Sequence, residues 1–353
     1  MNLCYSHWNH EAKLRFLTIE NTKILYAVLN WGLGHATRSM PLIKSLMQKN
    51  NKLVIASGGD SLLLLKEEFP NVEFVDLPDY GISYGRRNMI ANGLSQYRRV
   101  TRAIKTENKI AANLVERFKI EMIISDNRYG VFHSGIHSVL ITHQLKLMMP
   151  EGFGWLAPIV QKKNKGYLLR FNEIWVPDEE GEDNLSGALS HGVRCDIPVK
   201  FIGSLSRFSM PDIKPEPKYD FVFIISGPEP TRSQFEAIAR KELRNHKGRA
   251  ALVRGRVGAL ETEGDRSYDM FNHLNYKEMR EIILTSGFVI CRSGYSSLMD
   301  LKALNKKAVL IPTPGQTEQE YLATYHHGKG SFVAIDQKDF SIEKGIEMIS
   351  GMI

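Results

Sequence analysis

Ile24-Leu-Tyr-Ala-Val-Leu-Asn-Trp-Gly-Leu-Gly-His-Ala-Thr-Arg-Ser39 begins as an apolar run, breaks at two glycines and resumes with helical spacing. Its first part, Ile24–Trp31, reads as a strand apolar on both faces. Such a strand belongs in a parallel sheet covered by helices on both sides. Gly32 and Gly34 allow a tight turn, and a helix is expected from about Thr37 to Lys49. The alternation continues through strands at Lys52–Ser57, Val72–Leu77, Met122–Ser125, Ser138–Thr142, Glu173–Val176 and Val199–Ile202. A long helix over about Met89–Phe118 lies among them. Met210–Lys218 then holds three prolines in nine residues and reads as a linker.

Beyond it the pattern restarts, with strands at Tyr219–Ile225, Ala250–Arg254, Tyr268–Phe271, Phe288–Cys291, Ala308–Ile311 and Phe332–Ile335. Helices fit at Ser233–Asn245, Tyr276–Thr285, Ser296–Leu304, Glu318–Tyr325 and Ile342–Ser350. The expected fold is α/β: two Rossmann-like, doubly wound parallel-sheet domains facing across a cleft. An extension (1–22) would precede the first domain (23–209), with a linker (210–218) and the second domain (219–353) after it. Folds of this kind bind ligands at the carboxyl ends of their strands.

The chain has 353 residues, of which 43% are hydrophobic and 24% charged, an ordinary globular composition. Cys4, Cys195 and Cys291 are far apart and lack metal spacing, so a disulfide framework is not expected and a reducing, cytoplasmic setting is. Met1–Glu20 has no signal-peptide core, and no apolar run approaches the ~18 residues of a membrane span. The net charge of +7 is local. Residues 81–120 carry nine basic side chains, including Arg86, Arg87, Arg98, Arg99 and Arg102, against two acids, and account for the whole excess. One anionic partner on one surface is implied.

Chemistry-bearing residues gather at strand ends. His35 follows the Gly32-Leu-Gly34 turn, where an imidazole at the cleft mouth can act as a general base; the alternative is a helix cap. Asp126 ends an apolar strand in Ser125-Asp-Asn-Arg128 and can orient that imidazole. Gly32, Gly34, Arg128 and His143 are assigned to the acceptor side. In the second half, Ser226 and Gly227 form a small-residue loop before a helix. Cys291-Arg-Ser-Gly-Tyr-Ser-Ser297 brings Arg292, Ser293, Gly294, Ser296 and Ser297 to a helix start suited to a diphosphate. Asp300, one turn in, suits a ribose. The polar cluster Gln316, Gln319 and Glu320 suits a sugar.

The passages Val289–Asp300 and Pro312–Glu320 resemble the donor-binding loops of the MurG-type glycosyltransferases, with their family 28 carboxyl-terminal domain. The resemblance extends to the chain length, the strand–Gly-x-Gly-His turn, the linker and most of the second domain. It implies a GT-B fold, with Arg292, Ser293 and Gly294 near the diphosphate, Asp300 on ribose, and Gln319 and Glu320 on the donor sugar. It also implies that His35 is the glycine-loop histidine and that transfer inverts the anomeric carbon. The glycine loops at 32–34 and 226–229 are sparser than the family's, and Glu320 replaces an amide. These departures point to a related transferase with a different acceptor.

No Asp-x-Asp pair occurs in the sequence, so a metal-held diphosphate is not expected. Nor is a permanently bound cofactor; a UDP-type nucleotide sugar is the expected substrate, with a cell-envelope or lipid-linked glycan as acceptor. The basic segment, the apolar stretch 147–156 with Trp155, and the lysines beyond it suit an anionic membrane surface. Two other classes compete: a non-hydrolysing UDP-sugar 2-epimerase of the same fold, and a non-catalytic nucleic-acid binder. No nucleic-acid partner is expected, because the basic residues fall on no recognised binding motif.

Overall fold

The computed structural model describes residues 18–80, 89–213, 215–256 and 267–352, with the backbone alone for 89–97. Arg86, Arg87 and most of the amino-terminal extension lie outside the described residues. The first half runs β1 (Lys23–Val28), α1 (Gly34–Gln48), β2 (Lys52–Ser57), α2 (Gly59–Glu68), β3 (Glu73–Asp76), α3 (Met89–Phe118), β4 (Met122–Asp126), β5 (His137–Ile141), α4 (Ala157–Leu168), β6 (Glu173–Val176) and β7 (Val199–Phe201). The second half follows with β8 (Tyr219–Ile224), α5 (Thr231–Asn245), β9 (Ala250–Val253), β10 (Asp269–Phe271), α6 (Tyr276–Thr285), β11 (Ser286–Cys291), α7 (Tyr295–Ala303), β12 (Ala308–Leu310), α8 (Thr317–His326), β13 (Phe332–Ala334) and α9 (Ile342–Ser350).

Two sheets result, one seven-stranded in the order β3-β2-β1-β4-β5-β6-β7 and one six-stranded in the order β10-β9-β8-β11-β12-β13. Neighbouring strands are parallel throughout. Alternation along β1 explains the layers. Ile24, Tyr26 and Val28 pack with Ala36, Met40 and Ile43 of α1 on one face. Leu25 and Ala27 pack with Ala111, Leu114 and Val115 of α3 on the other. In the second sheet, Phe221 and Phe223 of β8 bury against Phe235, Ala239 and Leu243 of α5.

Both sheets reverse their strand order beside their first strand, between β1 and β4 and between β8 and β11. Those switch points open a crevice at the carboxyl edge. The expected strands and long helices are present, with two differences that matter. Helix α1 starts at Gly34 rather than near Thr37, which puts His35 inside its first turn. Helices α2 and α4 were not read from the sequence; the stretch 147–156 leads through a 3-10 turn at Gly154–Leu156 into α4.

Candidate active site

The turn after β1 is built on Gly32 at φ +70°, a left-handed conformation that favours glycine. Gly34 matters for a different reason. A Cβ there would stand 2.8 Å from Ser296 Oγ of the opposite domain, and Ser296 donates to the Gly34 carbonyl at 3.1 Å. The two switch points thus meet at these residues. Between them is a cavity of about 620 Å³, lined from the first domain by Asn30–Gly34, Asp60, Asp79 and Tyr80. Ser226, Gly227, Arg232 and Arg256 line it from the second.

His35 follows this lining directly, with its side chain 13% exposed. Val28 pairs with Asp126 in the β1–β4 register, so the end of β4 lies beside the turn. His35 Nδ1 lies 2.8 Å from Asp126 Oδ1. The buried carboxylate accepts a hydrogen bond from Nδ1–H and so leaves Nε2 with the free lone pair. Burial lowers the His35 pKa, Arg38 adds to that, and Asp126 opposes it. The imidazole is therefore neutral at neutral pH and able to accept a proton.

Asp126 also accepts from Arg38 through Nε (2.9 Å) and Nη2, and from Ser39 Oγ at 3.0 Å. Burial alone would raise its pKa; Arg38 first, then His35, hold it well below the usual carboxylate range. Arg38 Nη1 lies 3.4 Å from His143 Nδ1, and His143 Nε2 lies 2.8 Å from Glu318 Oε1 at the start of α8. Gln144 Nε2 donates to the other oxygen of Glu318. Sequence reading did not single out Arg38, Ser39 or Glu318. Arg38 stands three residues after His35 on one helix, the spacing that places two side chains on a common face. Nothing local marks Glu318.

Other expected site residues are engaged in bonds of their own. Arg128, expected on the acceptor side, is buried. It donates to the Val28 and Pro78 carbonyls and pairs at 2.6 Å with Glu107, which also accepts from Tyr80. It ties α3 to the sheet edge instead. His143 is buried as well, its ring stacked on Tyr295 at 3.9 Å, and it bridges the domains.

Arg292, expected at a diphosphate, is 2% exposed. It donates to the carbonyls of Ile311, Pro312 and Thr231 and to Gln337 Oε1, over the ring of Phe235. It fastens strand ends together within the second domain. Ser293 is buried and donates to the Gln319 carbonyl, while Gly294 caps α7 with extended backbone. Asp300 accepts from Ser206 Oγ at 2.6 Å, and burial pushes its pKa up to about 6 against the pull of Arg207. Gln319 Oε1 accepts from the Thr313 amide and Glu320 Oε1 from the Gly315 amide, shaping the loop before α8, whose N-cap is Gln316. Ser297 is partly exposed one turn before Asp300. Of the expected donor residues, Ser226 and Gly227 line the cavity, joined by Arg256.

Arg98, Arg102, Lys105 and Lys109 form an exposed row along α3 at spacings of four, three and four residues, with Arg99 exposed beside it. Trp155 is 71% exposed and Ile159 64%. Val100 and Ala103 of α3 and Tyr167 of α4 pack on one small cluster with Leu29, Tyr80 and Ile104. Among the described residues, no helix is long and apolar enough to cross a membrane.

Residues 230–352 match the glycosyltransferase family 28 C-terminal domain, and residues 22–142 match glycosyl transferase family 1. The chain is 22% identical over 255 residues to UDP-N-acetylglucosamine–N-acetylmuramyl-(pentapeptide) pyrophosphoryl-undecaprenol N-acetylglucosamine transferase of Haemophilus ducreyi. That match spans 69% of this chain and 67% of the relative. The glycotransferase of kitacinnamycin superposes with a TM-score of 0.62 at 15% identity, covering 94% of this chain and 90% of that one. MurG of Acinetobacter baumannii superposes at 0.51 with 12% identity, covering 94% and 90%. At these identities the structural likeness is one of fold. With a family 28 carboxyl-terminal domain on a GT-B frame, the chain is a glycosyltransferase that is similar to MurG.

Proposed function

We propose that the protein moves a hexose or N-acetylhexosamine from a UDP-type nucleotide sugar to a hydroxyl of a cell-envelope or lipid-linked glycan, inverting the anomeric carbon without a metal. The observation that carries this reading is the His35–Asp126 pair at the switch point, next to the interdomain cavity. His35 Nε2 takes the acceptor hydroxyl proton as its oxygen forms a bond to the anomeric carbon. The bond from that carbon to the diphosphate oxygen breaks on the opposite side, and the nucleoside diphosphate leaves with the electron pair.

The first domain holds the acceptor and the second the donor in this reading. Ser226, Gly227 and Arg256 border the cavity where the diphosphate would lie. Asp300, Gln316, Gln319 and Glu320 remain the proposed ribose and sugar contacts. The Haemophilus ducreyi relative, by its name an N-acetylglucosamine transferase for a pyrophosphoryl-undecaprenol acceptor, supports the substrate class. The exposed cations of α3 with Trp155 and Ile159 suit a peripheral contact with anionic lipid, where such an acceptor would be found.

The test is a thermal-shift and calorimetric screen of nucleotides, followed by UDP release from bound nucleotide sugars with candidate acceptors. UDP is expected to bind, and His35→Ala to keep UDP binding while losing about 10²–10⁴-fold in transfer. Transfer retained by that variant would sink the base assignment. A changed nucleotide sugar released without acceptor would favour the epimerase instead.

A further inference from the structure

We propose that Glu318 and His143 are positioning residues for the base, a hydrogen-bonded relay through which the donor-side helix α8 sets the proton affinity of His35 across the cleft. The proposal rests on the reading of His35 as base. Its observations are the bonds themselves. His35 Nδ1–H donates to Asp126, Arg38 grips the same carboxylate, and Arg38 Nη1 faces His143 Nδ1 at 3.4 Å. His143 Nε2 faces Glu318 Oε1 at 2.8 Å.

Donors and acceptors along this path agree in direction. Arg38 can only donate, so His143 Nδ1 must accept. His143 Nε2 then carries the proton and donates to Glu318. No member needs an extra charge, and each buried polar atom named has its partner.

The path crosses the domains. His143 follows β5 of the first sheet, and besides Arg38 of its own domain it is held by two groups of the second: Glu318 by hydrogen bond and Tyr295 of α7 by a stack inclined at 6°. Tyr295 is itself anchored to the Pro177 carbonyl at 2.9 Å. The relay is complete only with the domains in apposition. Glu318 is adjacent to Gln319 and Glu320, on the helix proposed to hold the donor sugar. A change at that helix therefore reaches the third donor of Arg38, and through it the carboxylate that orients His35. The charged and titratable groups around this centre are Tyr26 of β1, Arg38 of α1, Asp126 of β4, Tyr129 just beyond it, His143, Tyr295 of α7 and Glu318 of α8. Glu318 remains ionised at neutral pH: burial would raise its pKa, but His143 first, then His35 and Arg38, bring it below the usual range.

The experiment is an NMR titration of the full chain with isotope-labelled histidine, the His35 signal being identified by its loss in His35→Gln. Glu318→Gln removes the charge and keeps the shape, so the His35 midpoint should move to lower pH. In a His143→Phe background, which keeps a ring against Tyr295 but deletes both nitrogens, the same Glu318→Gln change should move the midpoint less. That non-additivity separates a relay from direct Coulomb coupling. Equal shifts in both backgrounds, or no shift in either, would overturn the proposal. If His143→Phe fails to fold, Glu318→Ala against Glu318→Gln serves instead, with the hydrogen-bonding variant expected nearer wild type in His35 tautomer and midpoint; identical behaviour of the two overturns it. Because these readouts need no substrate, they are distinct from sugar transfer by His35→Ala, which alone decides the base assignment.

Discussion

Arg38 holds Asp126 by both carboxylate oxygens, Nε to Oδ2 and Nη2 to Oδ1, and Oδ1 is also the oxygen that faces His35 Nδ1. One buried carboxylate thus neutralises one arginine and fixes one imidazole tautomer. Orientation of the base and stability of the first domain depend on the same group.

Replacing Asp126 with Asn should show both roles at once. The buried guanidinium of Arg38 would lose its counter-charge, which typically costs about 3–5 kcal/mol. Transfer should fall on the order of 10³–10⁴-fold, since an amide does not hold the same tautomer. Denaturant unfolding and turnover of the folded fraction measure the two separately. A variant that loses stability yet turns over normally would refute the orienting role.

The pH dependence follows from the lowered pKa of His35, caused by burial first and Arg38 second. Histidine free of such effects titrates near 6.5, so the acid limb of kcat/KM should lie below about 6.5. For stability, the unfolded chain takes up this proton more readily than the folded one. Acidification through about 6.5 therefore costs stability, and the loss levels off below the folded-state pKa. Urea midpoints of wild type and His35→Gln should keep a constant difference above about pH 7.5. Below that, wild type should lose ground to the variant; the opposite trend would contradict the assignment.

Arg292 should prove structural. Its buried guanidinium serves three backbone carbonyls and Gln337. Arg292→Met leaves those acceptors unsatisfied and should destabilise by roughly 1–3 kcal/mol. UDP affinity, measured by calorimetry below the unfolding transition, should change by less than about twofold. A loss of tenfold or more would return this residue to the diphosphate site.

The cation row of α3 should govern membrane contact. Each Lys or Arg near an anionic surface contributes about 1 kcal/mol, so Arg98→Gln, Arg102→Gln and Lys105→Gln together should weaken liposome binding roughly 10²-fold. Binding should also fall with salt and with Trp155→Ala. Co-sedimentation with vesicles of anionic and neutral composition tests this, and equal recovery of wild type and triple variant would end the idea.

Much of the architecture is legible without the fold. Strands apolar on both faces, glycines at the turns and helical spacing are local signals, set within a few residues. They place His35, Asp126 and Ser226 at strand ends. Helix α2 escapes this reading because its four consecutive leucines have no amphipathic period. Helix α4 escapes because only Asn164 and Leu168 within it are buried.

Two wound sheets, a crevice at their carboxyl edges and the residue types delivered to it follow from residue order alone. Which charges meet is settled by packing. Arg128 and Arg292 follow strand ends and Arg38 lies on the helix after β1, and nothing in their sequence neighbours distinguishes their partners. One grips the carboxylate beside the base, one pairs with Glu107, and one ties strand ends together. Their partners are set by side-chain direction and by contacts between residues 91 apart for His35–Asp126 and 175 apart for His143–Glu318. A local pattern encodes the period of a segment, but the pairing of buried charges depends on how distant segments pack.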